Sequence, residues 1–246
     1  MNRIDDYDEL KHRIVKWIKD YANSNGIQSL VVGVSGGIDS AVVSTLCAET
    51  ELPTFPLGMP IHQDSDQESL SDSHLASLEK RYKNVKTLKF NLTEVFEKFK
   101  KSLGEYAHDD LSLANTISRL RMTTLYQIAG KYNGIVVGTG NKVEDYGVGF
   151  YTKYGDGGVD IAPIADLYKT EVWELGKYLG VSKKIIEASP TDGLWDDKRT
   201  DEDQLGASYA QLEEAMEYGT GDGVKVLEKF SKMNQHKIQP IPTFKI

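Results

Sequence analysis

Eight consecutive residues, Gly33-Val34-Ser35-Gly36-Gly37-Ile38-Asp39-Ser40, carry the strongest chemical signal in the chain. They lie where the apolar run Leu30 to Val34 gives way to the small and apolar series Ile38 to Ala48. That pattern predicts a buried strand turning into a helix. Glycines at such a turn let the backbone bend tightly and approach a ligand with no Cβ in the way. Free amides at the helix start favour an anion, and a phosphate fits. Ser35 and Ser40 can add hydroxyl donors. Asp39 is the odd member, because a carboxylate repels phosphate unless a cation lies between them. Mg2+ resolves the conflict, since it takes oxygen ligands and joins carboxylates to phosphates. The segment lacks the Lys-Ser/Thr ending of a Walker loop, and its spacing is not GxGxxG. An ordinary turn with a Ser or Asp helix cap is the plainer alternative. The flanking strand and helix, with the embedded Asp39, favour the phosphate cradle.

The elements that must position this loop alternate along the chain. Leu10, Ile14, Trp17, Ile18 and Tyr21 recur at three- and four-residue spacing, predicting a first helix that Asn25-Gly26 ends. Leu30 to Val34 reads as a strand buried on both faces. Phe55 to Met59 reads as a second strand, although Pro56 sits badly within one. The polar stretch His62 to Ser73 reads as a loop leading into a helix through Leu75, Leu78 and Tyr82. Val85 to Phe90 predicts a strand, Val95 to Lys101 a helix, Leu111 to Lys131 a long helix, and Ile135 to Val137 another buried strand. Lys169 to Leu179, ended by Gly180, and segments around Tyr209 to Met216 and Val224 to Met233 read as helices. Strands separated by helices imply βαβ units: an α/β fold with a doubly wound, mostly parallel sheet flanked by helices, forming a single domain over residues 1–246. Pro190 to Gly206 is the most irregular stretch, either a mobile functional loop or an exposed connector.

Composition bounds the chemistry. The chain has 246 residues, 29 Lys plus Arg, 37 Asp plus Glu, a net charge of −8 and one cysteine. One thiol excludes a disulfide framework and any multi-cysteine metal or cluster site. Cys47, among Val42, Val43 and Leu46, reads as a small buried apolar residue. His12, His62, His74 and His108 lack metal-ligand spacing, and Lys98, Lys100 and Lys101 read as a solvated helix face. The acidic balance disfavours a nucleic-acid partner. No stretch approaches the ~18 apolar residues of a membrane span. The charged start, MNRIDDYDELKHR, is unlike a secretion signal, so a cytoplasmic location is expected.

The SGGIDS segment resembles the signature of the ATP pyrophosphatase, or PP-loop, family. Its members split ATP into AMP and pyrophosphate, usually by adenylating a substrate oxygen that a nitrogen or sulfur nucleophile then displaces. Four further segments resemble the ammonia-dependent NAD synthetases within it. They are Ile117-Ser118-Arg119-Leu120-Arg121-Met122, Gly138-Thr139-Gly140-Asn141-Lys142-Val143-Glu144, Tyr151-Thr152-Lys153-Tyr154-Gly155-Asp156-Gly157-Gly158-Val159-Asp160, and His236-Lys237. The resemblance as a whole runs from the first helix to the last few residues, in the family's order. A GMP synthetase ATP-pyrophosphatase subunit is the alternative PP-loop amidoligase. A tRNA-thiolating relative would require catalytic cysteine pairs.

The resemblance implies an adenine nucleotide alpha hydrolase-like fold and assigns roles. ATP, the co-substrate, would be held by Gly33, Val34, Ser35, Gly36, Gly37, Ile38, Asp39, Ser40, Thr139, Lys169 and Thr191. Asp39 and Glu144 would carry Mg2+, and with Lys169 they form the expected catalytic set. Glu144 follows a predicted strand's C-terminal end, where open α/β sheets bind ligands. Lys169 opens a helix, where a cation opposes the macrodipole, which favours a functional reason for it. Arg119, Lys153, Asp160, His236 and Lys237 would bind deamido-NAD, and the Asp156 turn would shape the nicotinate pocket. Free ammonia is the implied nitrogen donor, since the glutamine-dependent relatives carry a separate amidase domain with its own cysteine. The resemblance also implies a homodimer.

Overall fold

The computed structural model describes residues 3–191 and 200–245. Its strands are β1 (Ser29–Gly33), β2 (Thr54–Gly58), β3 (Leu88–Lys89) and β4 (Gly134–Val136). They form one sheet, all parallel, in the order β3-β2-β1-β4. The helices are α1 (Tyr7–Ser24), α2 (Ile38–Glu49), α3 (Ser65–Arg81), α4 (Thr93–Leu103) and α5 (Asp110–Lys131). They continue with α6 (Lys169–Tyr178), α7 (Lys183–Ile186), α8 (Asp201–Leu205), α9 (Tyr209–Tyr218) and α10 (Val224–Ile238). A short 3-10 turn covers Gly104–Tyr106 and a π-helical turn covers Val143–Val148.

The continuous apolar run of β1 has the reason expected of it: both faces are covered. Leu30 and Val32 join the core built with α1, α2, α6 and α7. Val31 faces the other way, onto Phe55, Val136 and Ala129 of α5. The chain winds β1, α2, β2, α3, β3 toward one edge, while β4 lies on the opposite side of β1. The winding therefore reverses between β1 and β4. In open α/β sheets the crevice at such a reversal, beyond the carboxyl ends of the strands, is where ligands bind. Gly33 to Ser40 leaves β1 there and Gly138 to Glu144 leaves β4 there. A smaller apolar cluster joins the π-helical turn to α9, with Val143, Val148, Tyr209 and Leu212 at its centre.

Pro56 is tolerated because the ladder is broken beside it. β2 pairs with β3 only at Leu57↔Leu88 and Gly58↔Lys89, with an isolated bridge Thr54↔Val85. The predicted strand Val85 to Phe90 is reduced to those two contacts. The stretch read as a loop from His62 to Ser73 is helical from Ser65 onward, with Asp64 accepting the Asp66 amide as its cap. The far end of the Pro190–Gly206 stretch is also helical, as α8, with Thr200 and Asp203 capping each other reciprocally. Residues 192–199 of that stretch lie outside the described residues. No helix among the described residues is long and apolar enough to cross a membrane.

Candidate active site

The glycine loop is held from below. Val34 donates its amide to Leu57 and its carbonyl accepts the Ser71 hydroxyl of α3 at 2.9 Å. Gln63 donates to the Ser35 carbonyl at 3.0 Å. Within the loop, Ser40 Oγ donates to the Gly37 carbonyl at 3.0 Å and accepts the Ser35 amide at 3.2 Å. Gly36 takes φ +100°, and a Cβ there would lie 2.7 Å from the Gln67 carbonyl. Only glycine permits this approach of the loop to α3. α2 begins at Ile38 with Gly37 as its cap and no side chain on its first amides. Gly37, Ile38, Asp39 and Ser40 line the first cleft, and a helix start without a side-chain cap is suited to phosphate.

Three charged side chains meet beside the loop. Lys169, the first residue of α6, places Nζ 2.6 Å from Asp39 Oδ2 and 3.0 Å from Glu144 Oε1. Its side chain is 3% exposed, against 17% for Asp39 and 16% for Glu144. Burial opposes the ammonium, but the facing carboxylates of Asp39 and Glu144 outweigh it and hold Lys169 above the ordinary lysine range. Asn141 organises the carboxylates. Its amide donates to Asp39 Oδ1 at 3.2 Å, and its Oδ1 accepts the amides of Val143 and Glu144 at 3.1 Å each. Tyr209 donates to Glu144 Oε1 at 2.7 Å. Burial, then the charges of Glu144, Asp156 and Asp39, push the neighbouring Asp145 carboxyl up to about 8. Asp156 is also pushed up by burial, while bonds from Ser118 and the Thr152 amide to its Oδ1 oppose the rise.

Two adjoining clefts flank this centre. The first, about 330 Å³, is lined by the glycine loop, Thr139, Glu144, Lys169 and Thr191. The second, about 600 Å³, runs between α5 and α10 and is lined by Arg119, Lys153, His236 and Lys237, with Gly33 and Val34 at its inner end. Ser35, Ser40, Thr139, Asp156 and Thr191 border both. The residues expected to hold ATP are thus brought together, and so are four of the five expected at the dinucleotide. Asp160 is placed differently. Its Oδ2 accepts the Val136 amide at 2.7 Å and its Oδ1 accepts from the Tyr126 hydroxyl at 3.1 Å, so it braces β4 and does not line either cleft. Lys237 and Lys153 are also engaged in the fold. Lys237 Nζ donates to the carbonyls of Gly149 and Tyr151 at 2.9 and 2.8 Å, and Lys153 Nζ donates to the His236 carbonyl at 2.6 Å. These bonds clasp the end of α10 to the loop between the clefts.

Asp39 and Glu144 supply the hard oxygen donors that a divalent cation takes. One buried ammonium already bridges them, so cationic charge suits that point. Among the described residues no group of three or more His, Cys, Asp or Glu side chains could enclose a metal. The donor set therefore fits a Mg2+ that takes its remaining ligands from phosphates and water. Tyr209, Asn141, Ser118 and Asp145 belong to the site although no signal in the sequence marks them individually. Asn141 and Ser118 stand inside segments already singled out, whereas Tyr209 carries no signal beyond its place at the start of a helix.

The chain matches the family model described as NAD synthase over residues 10–243. It is 37% identical over 236 residues to the NH3-dependent NAD+ synthetase of Carboxydothermus hydrogenoformans, covering 94% of this chain and 95% of that protein. A structure of NMN synthetase from Francisella tularensis superposes with a TM-score of 0.88 at 33% identity, covering 98% and 99% of the two chains. NH3-dependent NAD synthetase from Campylobacter jejuni superposes at 0.78 and 26% identity, over 98% and 100%. An acidic glycine loop and a lysine-bridged carboxylate pair at the sheet's switch point thus occur on a chain that belongs to the NAD synthase family, a family of amidating ligases.

Proposed function

We propose that this chain converts deamido-NAD to NAD with ATP and free ammonia. The observation that carries the reading is the Lys169-bridged pair Asp39 and Glu144, set between the amide-rich α2 start and a second, larger cleft with basic residues along its wall. A nicotinate carboxylate oxygen attacks the α-phosphorus of ATP, and the bond to the bridging oxygen breaks with its electrons leaving on pyrophosphate. Ammonia then attacks the carbonyl carbon of the acyl-adenylate, AMP leaves, and a proton is released as the amide forms. No covalent enzyme nucleophile is required, because positioning and charge stabilisation carry the rate. The loop amides and the Ser35 and Ser40 hydroxyls hold the leaving phosphates, and Lys169 supplies positive charge at the first cleft. Mg2+, held by Asp39 and Glu144, would neutralise developing phosphate charge. Thr139 and Thr191 border both clefts and contribute hydroxyls to ATP. Arg119, with Lys153, His236 and Lys237 around it, orients the nicotinate nucleotide. Dimerisation is part of this proposal; exposed Val95, Phe99, Tyr106 and Leu111 on and around α4 and α5 offer apolar surface for it.

A second reading keeps the chemistry and changes the substrate. The Francisella tularensis protein with TM-score 0.88 is called an NMN synthetase. By the same reaction such an enzyme would amidate nicotinate mononucleotide, which lacks the adenylate half of deamido-NAD. Parallel rate measurements with the two nucleotides, at matched ATP, Mg2+ and ammonium, separate the readings by their kcat/KM ratio. XMP in a third arm tests the GMP synthetase alternative, which the family match disfavours.

A further inference from the structure

Tyr209 touches the charged centre without belonging to any motif that pointed to it. Its side chain is almost wholly buried, at 1% exposure, in the cluster that joins the π-helical turn to α9. Its hydroxyl lies 2.7 Å from Glu144 Oε1 and 3.2 Å from Asp201 Oδ2. A phenol has one proton, and the shorter contact takes it. Glu144 Oε1 therefore accepts two donors, Tyr209 and Lys169. Among the described residues no hydrogen bond is made to Glu144 Oε2. The Tyr209 ring is fixed as well. Lys169 Nζ sits 4.8 Å from its centroid, and Trp173 meets it edge-on at 6.1 Å and 82°. A buried phenol usually finds a hydrogen-bond partner, and here the partner is a carboxylate of the charged centre, Glu144 Oε1. Burial and the surrounding carboxylates, Glu144 first among them, hold the phenol above its ordinary range, so it stays a donor.

We infer that Tyr209 is a positioning residue for the proposed reaction, its hydroxyl fixing Glu144 Oε1 and its ring locating the Lys169 ammonium, so that Glu144 presents Oε2 to the first cleft. The inference rests on the reading of Asp39, Glu144 and Lys169 as the ATP and cation centre. Hydrogen bonds to charged groups are the strong ones. Losing this one should reduce turnover roughly tenfold to a hundredfold.

The test is a cycle of Tyr209→Phe and Glu144→Gln on the full chain, read by calorimetric binding of ATP with Mg2+ and of ATP with EDTA. Tyr209→Phe keeps the ring and its packing. The expected result is a kcat at least tenfold lower, Mg2+-dependent ATP binding weakened, metal-free ATP binding unchanged, and KM for deamido-NAD within about twofold. In the Glu144→Gln background, Tyr209→Phe should weaken Mg2+-dependent binding much less than in the wild type, because the carboxylate that Tyr209 positions is already gone. Losses that add in the double variant, or a Tyr209→Phe protein with wild-type turnover, would overturn the inference. A Glu144→Gln protein that binds ATP with Mg2+ as tightly as the wild type would instead overturn the reading of the centre itself. The two failures are distinct.

Discussion

Lys169→Met is the most demanding perturbation of the charged centre. Methionine nearly matches the lysine stem in length and fills its apolar path, so the substitution removes charge with little cavity. What remains is two carboxylates facing each other across the vacated ammonium position. With Lys169 3% exposed and its partners 17% and 16% exposed, solvent screens them weakly. Removing one member of a buried ionic group destabilises by roughly 3–5 kcal/mol. For a chain of this size each kcal/mol lowers the melting temperature by roughly 2–4 °C, which gives a fall of roughly 6–20 °C. Urea unfolding in EDTA at pH 7.5, followed by far-ultraviolet circular dichroism, measures the loss directly. Adding Asp39→Asn should recover part of it, since one uncompensated carboxylate is then gone and the two effects are coupled. A Lys169→Met protein within about 1 kcal/mol of wild type would refute the argument that the ammonium is what makes this carboxylate pair tolerable. So would a double variant whose loss is the sum of the two single losses.

His74, buried on α3 with Nε2 2.9 Å from Ser44 Oγ, is held down to about 4 by burial. The unfolded imidazole takes up a proton below about 6.5 that the folded one refuses, so stability should fall by about 2 kcal/mol between pH 7 and pH 5; His74→Gln should flatten that limb of a pH series of urea melts, and an unchanged slope would contradict the assignment. Gly36→Ala places a Cβ 2.7 Å from the Gln67 carbonyl at φ +100°; strain of roughly 1–3 kcal/mol must move the loop, and equilibrium ATP binding should weaken at least tenfold. Asp160→Ala should lower the melting temperature by removing the acceptor of the Val136 amide while leaving KM for the nicotinate nucleotide unchanged, whereas Arg119→Ala should raise that KM and leave melting unchanged.

The sequence was most legible where one physical cause dominated. β1 and β4 are short apolar runs buried on both faces, and their positions could be read to within a residue. α1 and α5 have clear limits because Asn25-Gly26 ends one and Asp109 caps the other. The first two turns of α3 were invisible for the opposite reason. Their inward residues include Ser71, whose burial is justified by its bond to the Val34 carbonyl and not by apolarity. No hydrophobic period announces such a helix. β3 is shorter than the predicted Val85 to Phe90 because Pro56 on its neighbour withholds the donor a longer ladder needs, leaving Leu88–Lys89 paired and a single bridge at Val85. At the site, glycines and charged residues in dense segments mark Asp39, Thr139 and Glu144, the family resemblance adds Lys169, and all four converge. Asp160 lies in an equally dense segment, yet its carboxylate satisfies a strand amide. Side-chain direction, not residue type, decides that, and a linear pattern does not encode it. Tyr209 was missed because its hydroxyl acts across 65 residues of sequence, through a fold contact to Glu144.

In the proposed reaction a nicotinate carboxylate activated by ATP is delivered to free ammonia. One measurement tests it most directly: purified protein with deamido-NAD, ATP and Mg2+, given ammonium chloride or glutamine, with AMP, pyrophosphate and amide product quantified together. The account predicts one AMP and one pyrophosphate per amide formed with ammonium, and negligible turnover with glutamine; nicotinate mononucleotide replaces deamido-NAD in a parallel arm to settle the substrate. Release of ADP and phosphate, or no amide from either nicotinate nucleotide, would contradict it.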